Sequence, residues 1–345
     1  MWSFRSNRLL EPVDVTVASL MAALGRYQGR QELFEHQAPQ VLETLRQVAM
    51  VESTEASNRI EGIIVSPARL RALMAEAVPR TRPEGEIAGY RDVLARIHAG
   101  QIGLPLTTDK IRAMHADMYA YLPGEGGTWK EQDNIVRQIL PDGREVVRFV
   151  PLPANETPAA MDELCDSLAA AWESEQVGRL LVTNAFTFDF LCIHPFPDGN
   201  GRVARLLTLL LLYAAGYEVG RYISLERIIE NTKETYYEAL RLSGLRWESG
   251  QHDLTPWHQY SLGVLVYAYR EFEERVGEVV AASGGKRQIV RAAIGRLADE
   301  FTVSELRRVC PTVSQATIRQ VLGEMKEAGE IELVQAGRYA RWRKL

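Results

Sequence analysis

The twelve residues from His194 to Arg205 (HPFPDGNGRVAR) combine side chains that can handle a proton, a metal ion and a phosphate. His194 can accept a proton from an attacking hydroxyl near neutral pH. Asp198 offers a hard oxygen ligand of the kind that Mg²⁺ prefers. Arg202 and Arg205 are three residues apart, so on a helix they lie close enough for both to donate to phosphate oxygens. These residue types predict a site for a triphosphate, a metal ion and a general base.

The flanking sequence indicates how these residues are held. Residues 206–215 are almost entirely apolar, which predicts that a loop enters a buried helix here. Gly199 and Gly201, on either side of Asn200, allow the backbone to approach a ligand closely. The N-terminus of a helix adds unpaired N–H groups and a positive dipole end, which together bind anions. A Gly-Asn-Gly loop alone is ordinary, but joined to the two arginines it favours a phosphate site.

The segment resembles the signature of the Fic family, H-x-F-x-[DE]-G-N-G-R-x-x-R, and matches every fixed position. The resemblance implies transfer of AMP from ATP to a Ser, Thr or Tyr hydroxyl of a protein, with release of pyrophosphate. His194 would then be the base that deprotonates the hydroxyl. Asp198 would hold Mg²⁺ between the α- and β-phosphates, and Phe196 would pack in the core to fix the loop.

The resemblance also assigns the nucleotide phosphates to residues of this segment. The backbone of Gly199, Asn200 and Gly201, with the Asn200 side chain, would form the anion hole. Arg202 would bind on the β-phosphate side and Arg205 at the γ-phosphate. These roles suit the chemistry, because phosphoryl-type transfers depend mainly on positioning and charge stabilisation.

A second motif lies at the end of a helix predicted over residues 39–61. Residues 57–62 (SNRIEG) resemble the inhibitory motif of Fic proteins, [ST]-x-x-x-E-[GN]. Ser57 and Glu61 are four apart and share a helix face, and Gly62 suits a left-handed C-cap. By the resemblance, Glu61 would pair with Arg205 in place of the γ-phosphate and leave bound ATP misaligned. Taken alone, the motif also fits an ordinary exposed carboxylate.

Residues 135–150 predict a β-hairpin, because the Asp-Gly pair at 142–143 is flanked by alternating apolar residues. Fic proteins carry a hairpin flap at this place. The flap would dock the target segment as an added strand, with its hydroxyl near His194. A surface hairpin without chemistry is the alternative. The residues assigned to the docking edge are Arg148, Phe149 and Val150.

A helix predicted in residues 231–240 carries Tyr236 and Tyr237, and the family often has a similar helix beside the adenine pocket. Adjacent helical residues point about 100° apart, so one tyrosine is expected to face the nucleotide, and we assign Tyr237. The family frequently has Asn one turn further on, whereas this chain has Ser243 and Gly244. This departure leaves the identity of the base open.

The composition is that of a globular protein from a reducing compartment. The 345 residues are 46% hydrophobic and 25% charged, which allows a large core and two or three domains. A net charge of −5 gives no overall attraction to nucleic acid. The three cysteines show neither metal nor disulfide spacing, which favours a cytoplasmic protein. No apolar run is long enough to cross a membrane, and the first residues lack a signal-peptide pattern.

The predicted fold is mainly α, with a Fic-type helical core, a small hairpin flap and a C-terminal winged helix-turn-helix. The predicted domains are an N-terminal helical region (1–80) with the inhibitory helix, the catalytic core (81–282) and the winged-helix domain (286–345). Residues 283–285 read as the linker. Helices of the core are predicted at 84–98, 108–121, 157–172, 177–192, 202–216, 225–242 and 254–282.

Residues 286–345 contain twelve basic and seven acidic residues, a net charge of +5. A short helix from Phe301, a second helix from Ser314 and a hairpin around Gly337 predict the winged helix-turn-helix. Arg319 and the arginines of the hairpin are its candidate phosphate contacts. DNA binding and protein docking both remain open, since this charge is modest and winged helices serve both purposes.

The combined interpretation is a protein adenylyltransferase that uses ATP and Mg²⁺, modifies a hydroxyl of a protein target or of itself, and is restrained by Glu61. One alternative is that the same site transfers UMP, phosphocholine or phosphate, or removes AMP. Another is a DNA-binding regulator whose Fic core only senses ATP. A homodimer is compatible with the sequence and is left open.

Overall fold

The computed structural model describes residues 2–37, 39–122, 124, 126–139, 145–282, 285–311, 313–335, 337 and 340–345. The predicted turn at 142–143 and residues 283–284 of the predicted linker lie outside these ranges. The chain divides into two compact units. The first comprises residues 1–26 and 46–268, and the second comprises residues 27–45 and 269–345.

The first unit holds the predicted site and is built almost wholly of helices. Helices α1 (Val15–Gln37) and α2 (Pro39–Ile60) begin the chain and contribute residues to both units. The elements that follow in the first unit are α3 (Pro67–Met74), α4 (Arg82–His98), α5 (Thr108–Met118), β1 (Val136–Ile139), β2 (Glu145–Phe149), α6 (Thr157–Ser174), α7 (Arg179–Ile193), α8 (Asn200–Ala214), α9 (Leu225–Asn231) and α10 (Lys233–Gly244). Helix α11 (Thr255–Ala282) again contributes to both units.

Helices α7 and α8 form the centre of the first unit. Nearly every residue of α7 from Leu180 to Ile193 is buried, and α8 is apolar on most of its surface. Helices that are apolar all round must be enclosed by other elements. Accordingly, α7 packs against α6 and α8, and α4 packs against α5 and α8. The loop that joins α7 to α8 therefore starts and ends on well-buried helices.

The end of α2 packs on α3 and α4 through a small apolar cluster. Leu70, Leu73 and Ile87 are buried there, with Val51 and Ile63 packed against them. The helix closes with a left-handed glycine, as the sequence predicted. Gly62 has φ +82° and donates its N–H to the carbonyl of Arg59 at 3.0 Å. This packing fixes the position of the last turn of α2.

The sequence predicted one continuous helix over residues 225–242, and this prediction is wrong because these residues form two helices. The break falls at Thr232, whose backbone leaves the helical region at φ −118°, ψ 29°. Its hydroxyl donates to the carbonyl of Ile228 at 2.8 Å and lies 2.9 Å from the Tyr260 hydroxyl. Thr side chains compete for backbone hydrogen bonds in this way and end helices. The break sets the direction of α10, which carries Tyr236 and Tyr237.

The second unit includes α12 (Gly285–Arg296), β3 (Glu300–Thr302), α13 (Val303–Val309), α14 (Gln315–Glu327), β4 (Ile331–Gln335) and β5 (Arg341–Lys344). The strands form an antiparallel sheet in the order β3-β5-β4. The order of elements is the one that a winged helix-turn-helix requires. Residues 300–302 are a strand instead of the start of the predicted helix, which begins at Val303 with a capping box between Thr302 and Glu305.

Across the part of the chain that the structure describes, no helix has the length and apolar character needed to cross a membrane.

Candidate active site

The loop between α7 and α8 is closed by the side chain of Asn200. Its Oδ1 accepts from the N–H of Phe196 at 2.9 Å, and its Nδ2 donates to the carbonyl of Phe196 at 2.8 Å. Gly199 has φ +78°, and a Cβ there would lie 2.8 Å from the Met118 methyl group, so only glycine fits. The Asn200 side chain thus shapes the loop, and its expected contribution to the anion hole is indirect.

Phe196 is buried, as predicted, and lies flat against the ring of His115. The two ring centroids are 3.7 Å apart with an interplanar angle of 2°. The N–H of Gly127 donates to Nδ1 of His115 at 2.9 Å, so the other nitrogen, Nε2, carries the proton and donates to the carbonyl of Asp198 at 3.0 Å. Burial lowers the pKa of His115 to about 4, which keeps this ring neutral. His115 therefore supports the loop from α5.

Lys130 is a second support of the loop, and it joins the loop to the residues that follow the hairpin. Its ammonium group is buried and donates to the carbonyl of Ile193 at 3.0 Å, to the carbonyl of Leu152 at 2.6 Å and to Oδ1 of Asn134 at 3.0 Å. Asn134 in turn donates to the carbonyl of Phe196 at 3.2 Å.

His194 follows α7 in a left-handed backbone conformation, at φ +52°. Its Nδ1 lies 3.3 Å from the carbonyl of Leu191, a contact in which Nδ1 carries the proton and Nε2 is left as an acceptor. Burial lowers the pKa of His194 to about 4, and the nearby Lys130 ammonium acts in the same direction. The imidazole is therefore neutral at pH 7, which is the form that a general base requires.

Arg205 and Glu61 form the ion pair that the sequence predicted. The guanidinium NH2 of Arg205 donates to Oε1 of Glu61 at 2.8 Å. The Ser57 hydroxyl accepts from Arg205 Nε at 2.8 Å, and the Ser57 carbonyl accepts from NH2 at 2.9 Å. A Cβ built on Gly201 would overlap Glu61 Oε1, so the carboxylate lies directly on the first turn of α8. It occupies the place where a helix N-terminus would bind an anion.

Arg202 does not face the same way as Arg205, contrary to the expectation that both meet the phosphates. Its side chain is only 1% exposed and is absent from the lining of the cavity described below. The guanidinium lies 2.6 Å from Oε2 of Glu86 on α4 and donates to the Tyr119 hydroxyl at 2.7 Å. Helical residues three apart differ by about 60° in direction, so the two arginines meet different neighbours. Nothing in the sequence pattern singled out Glu86.

Asp198 has a side chain that is 67% exposed, and its Oδ1 accepts from the N–H of Gly199 at 2.7 Å. Within the described ranges, no group of three or more His, Cys, Asp or Glu residues could hold a metal ion. A single accessible carboxylate suits Mg²⁺ when the other ligands are phosphate oxygens and water. The residues present therefore fit a metal ion that arrives with a nucleotide, and do not fit one held by protein alone.

A cavity of about 560 Å³ opens beside His194 and the first turn of α8. This volume is within the usual range for small-molecule sites. One end is lined by Glu61, His194 and Arg205. The residues that line the other parts include Phe149, Tyr236, Tyr237, Gly244 and Trp247. The cavity thus has a charged end at α8 and, away from it, a part that we call the aromatic end, which Arg148, Arg241, Arg246 and Glu248 also line.

The two tyrosines of α10 have different environments. Tyr236 is buried and packs against the ring of Trp257, with centroids 5.8 Å apart. Tyr237 is half-buried and has the guanidinium of Arg148 over its ring, 4.2 Å from the centroid. Ser243, at the position where an Asn was expected, is buried, and its hydroxyl accepts from the N–H of Trp257 at 3.1 Å. Ser243 is therefore engaged in the core and does not line the cavity.

The hairpin pairs β1 with β2 in antiparallel register, with Val136 opposite Phe149. The three residues expected to dock a target, Arg148, Phe149 and Val150, all line the cavity. Phe149 meets the ring of Trp247 edge to face, with centroids 6.3 Å apart. Val150 is exposed, as is Val147. The hairpin therefore borders the cavity along residues 147–150, and its two valines there are also open to solvent.

Comparison with known proteins identifies the domain. Residues 105–212 match the model of the Fic/DOC family. A Fido domain-containing protein of Dictyostelium discoideum is 37% identical over 62 residues, which are 18% of this chain and 39% of that protein. The chain thus spans well under half of the length of this curated relative.

Solved structures share the fold at low identity. A Fic family protein from Desulfovibrio desulfuricans G20 has a TM-score of 0.63 and 22% identity, and the alignment covers 97% of both chains. A Fic domain-containing signaling protein from Bacteroides thetaiotaomicron VPI-5482 has a TM-score of 0.57 and 20% identity over 78% of this chain and 98% of the other. Fic-1 from C. elegans has a TM-score of 0.55 and 19% identity over 75% and 71%. Residues 105–212 therefore form a domain of the Fic/DOC family that contains the complete signature at 194–205, and the chain shares the fold of Fic family proteins.

Proposed function

We propose that this protein transfers AMP from ATP to a hydroxyl side chain of a target protein, with its own chain among the acceptors. The observation that carries the proposal is the charged end of the cavity. A neutral His194 stands there beside the N-terminus of α8 and the guanidinium of Arg205. A base next to a phosphate-sized anion site is what transfer of a nucleotidyl group to a hydroxyl requires.

In the proposed reaction, Nε2 of His194 takes the proton of the target hydroxyl. The hydroxyl oxygen attacks the α-phosphorus of ATP, and the bond from that phosphorus to the bridging oxygen breaks. The β- and γ-phosphates leave as pyrophosphate. Backbone N–H groups at the start of α8 stabilise the negative charge, and Arg205 binds the γ-phosphate. Mg²⁺, when bound through Asp198, would neutralise phosphate charge.

We further propose that Glu61 inhibits this reaction. Its carboxylate forms an ion pair with Arg205, the residue that would otherwise bind the γ-phosphate. It also places a negative charge against the first turn of α8. The γ-phosphate would then be repelled from its site, and the α-phosphate would be misaligned for attack. A coupling free energy of about 1–3 kcal/mol is enough to suppress turnover by a factor of several to a hundred.

Ser243 is engaged in the core, so recognition of the nucleobase must come from other residues of the cavity. Transfer of UMP through the same phosphate contacts is therefore the first alternative within this site. Competition by ATP, GTP and UTP for binding to the Glu61→Gly variant distinguishes these substrates.

For the second unit, we propose a winged helix whose contact with DNA is made by α13 and α14. Arg307, Arg308 and Arg319 are exposed there, with no ion pair recorded among the described residues. The arginines of β5, by contrast, are neutralised. Arg343 lies 2.7 Å from Glu300 and 3.0 Å from Glu332. Arg and Gln at the start of a recognition helix read guanine and adenine in the major groove.

A mobility-shift titration tests this second proposal. Arg319→Ala should weaken binding to the DNA upstream of the gene at least fivefold, since a base contact is worth about 1–3 kcal/mol. Arg343→Ala is the matched control on β5 and should have little effect. Absence of any shift with the wild-type protein would favour protein docking.

Two labels on ATP test the proposed transfer. The proteins compared are the wild type, Glu61→Gly, and Glu61→Gly combined with His194→Ala. Label from the α-phosphate, and none from the γ-phosphate, should appear on protein only with Glu61→Gly. Label from both positions would show transfer of phosphate instead. No label from either, with ATP bound, would refute the transfer.

A further inference from the structure

A buried cluster of hydrogen bonds lies behind the aromatic end of the cavity. It is centred on the carboxylate of Asp189, which is fully buried in α7. Oδ1 accepts from the Ser3 hydroxyl at 2.6 Å and from the indole N–H of Trp247 at 2.7 Å. Oδ2 accepts from the backbone N–H of Ser3 at 3.1 Å. Three donors from residues far apart in the chain thus meet on one carboxylate, as the burial of a charge requires.

The Ser3 hydroxyl also connects this carboxylate to His252. Its oxygen lies 2.9 Å from Nε2 of His252. Because the single hydroxyl proton is donated to Asp189, the oxygen accepts from a proton on Nε2. His252 is buried and stacks on Phe188 of α7, with ring centroids 5.7 Å apart. The cluster therefore joins residue 3, α7 and the segment after α10.

Residues 2–5 are seated firmly enough to place the Ser3 hydroxyl. The ring of Trp2 fills the space above Gly250, where a Cβ would come within 2.9 Å of it. The guanidinium of Arg5 stacks on the Trp2 ring, 4.4 Å from its centroid. Arg5 also donates twice to the carboxylate of Glu163 on α6, at 2.9 and 2.8 Å. The segment is thus held on α6 and on the turn that contains Trp247.

Trp247 needs such support because it does not lie on a helix or strand. It follows α10 in a turn, directly after Arg246, which has a left-handed φ of +62°. Trp247 is among the residues at the border of the cavity, but it is only 1% exposed, and its indole ring packs edge to face behind Phe149 of the hairpin. A non-glycine residue in this conformation persists only where its surroundings fix it. The bond from the indole N–H to Asp189 is the contact that fixes the ring.

We propose that Ser3 and Asp189 are positioning residues that hold Trp247 behind Phe149 at the border of the nucleotide cavity, so that residues 2–5 set the affinity of the site for its nucleotide base. This inference rests on the proposed function, since it takes the charged end at α8 for the phosphates and the aromatic end for the base. None of these residues touches the reacting atoms. Their loss should therefore act on nucleotide binding and on KM, and leave kcat within about twofold.

Calorimetric titration of ATP with Mg²⁺ tests the proposal in the Glu61→Gly background. Ser3→Ala should raise the dissociation constant about five- to tenfold, the effect expected for a lost buried hydrogen bond. Trp247→Phe, which keeps an aromatic ring without the N–H, should do the same. The double variant should bind no more weakly than Trp247→Phe alone, because both changes act through one contact. Ser174→Ala, which removes an exposed serine hydroxyl from α6, is the matched control and should change binding less than twofold.

Additive losses in the double variant, or unchanged binding in Ser3→Ala, would overturn the proposal. A second measurement decides it without nucleotide. In protein labelled with 5-fluorotryptophan, the fluorine resonance that disappears in Trp247→Phe should move or broaden in Ser3→Ala and stay in place in Ser174→Ala. An unmoved resonance in Ser3→Ala also overturns the proposal. If Glu61→Gly binds no nucleotide, the proposed transfer is wrong, while the fluorine result still shows whether Ser3 holds Trp247.

Discussion

The carboxylate of Glu61 lies 2.8 Å from the NH2 group of Arg205, although 144 residues separate the two in the chain. The arginine is buried on α8, whereas the glutamate side chain is 33% exposed. Glu61 can therefore leave the pair for solvent at modest cost, but Arg205 needs a negative partner inside the protein. The γ-phosphate of a nucleotide is such a partner.

Replacement of Glu61 by Gly should raise the rate of AMP transfer by a factor of about 5 to 100, which corresponds to a coupling of about 1–3 kcal/mol. The physical reason is that Arg205 and the first turn of α8 become available to the phosphates together. Initial rates at saturating ATP measure the effect. Glu55→Gln removes an exposed carboxylate from the same helix and serves as the control. Equal rates for Glu61→Gly and the wild type over a range of ATP concentrations would rule out the inhibition.

Replacement of Glu86 by Gln should destabilise the fold by about 3 kcal/mol, because it removes the buried carboxylate nearest to Arg202 and leaves only the exposed Asp198, at 3.8 Å, as a charged partner. The two side chains are 6% and 1% exposed, so solvent does not screen the loss. Urea unfolding measures the change in the free energy of unfolding. Glu238→Gln, which breaks a half-exposed pair with Arg241, should leave the free energy of unfolding nearly unchanged, since solvent screens this pair. Similar small effects of both variants would show that Arg202 is not held by Glu86.

Replacement of Lys130 by Met should lower kcat about 10- to 100-fold and change ATP affinity much less, because a small displacement of a catalytic group is enough for such a loss. Methionine keeps the buried stem but leaves the carbonyls of Leu152 and Ile193 without their donor. His194, the next residue after Ile193, should then lose its fixed position. Single-turnover rates and ATP titration separate the two effects. Lys110→Met, at an exposed lysine that also binds carbonyls, is the control.

The pH dependence of transfer should reflect the lowered pKa of His194. Since burial brings this pKa to about 4, the base is neutral from about pH 5.5 upwards, and kcat/KM of Glu61→Gly should be flat between pH 5.5 and 8. A histidine with the ordinary pKa of 6.5 would instead lose about tenfold by pH 5.5. A tenfold fall over this range would therefore contradict the assignment of a buried neutral base.

Burial of histidines should also make the stability of the folded protein depend on pH. Four histidines have pKa values lowered by burial, to about 3 for His98 and about 4 for His115, His194 and His258. The unfolded chain therefore binds protons between pH 6.5 and 4 that the folded chain does not, and stability should fall as the pH is lowered through this window. Thermal unfolding across the window checks that the rates above refer to folded protein.

The site could be predicted best where its functional residues lie close together in the sequence. The segment from His194 to Arg205 and the pair of Ser57 with Glu61 were recognisable because their residues stand at fixed short spacings. The expected meeting of Glu61 with Arg205 is present in the structure. The helical character of the chain followed from its apolar periodicity in the same way.

The residues that support the site could not be predicted from the sequence, because their partners are distant in the chain. Glu86 meets Arg202 from α4, and His115 meets Phe196 from α5. A glutamate near the start of a helix, or a histidine within one, does not stand at a characteristic distance in sequence from such a partner, so no motif reveals the contact. The sequence could not indicate the direction of the Arg202 side chain for the same reason. The residue pattern of a helix does not show which of its faces meets the ligand and which meets another helix.

The most direct test of the central proposal is the intact mass of the protein after incubation with ATP and Mg²⁺. Glu61→Gly should gain the mass of one adenylyl group on a fraction of its molecules, and Glu61→Gly combined with His194→Ala should gain none. A gain of the mass of a phosphate group, or no gain in a protein that binds ATP and is presented with its target, would contradict transfer of AMP by this site.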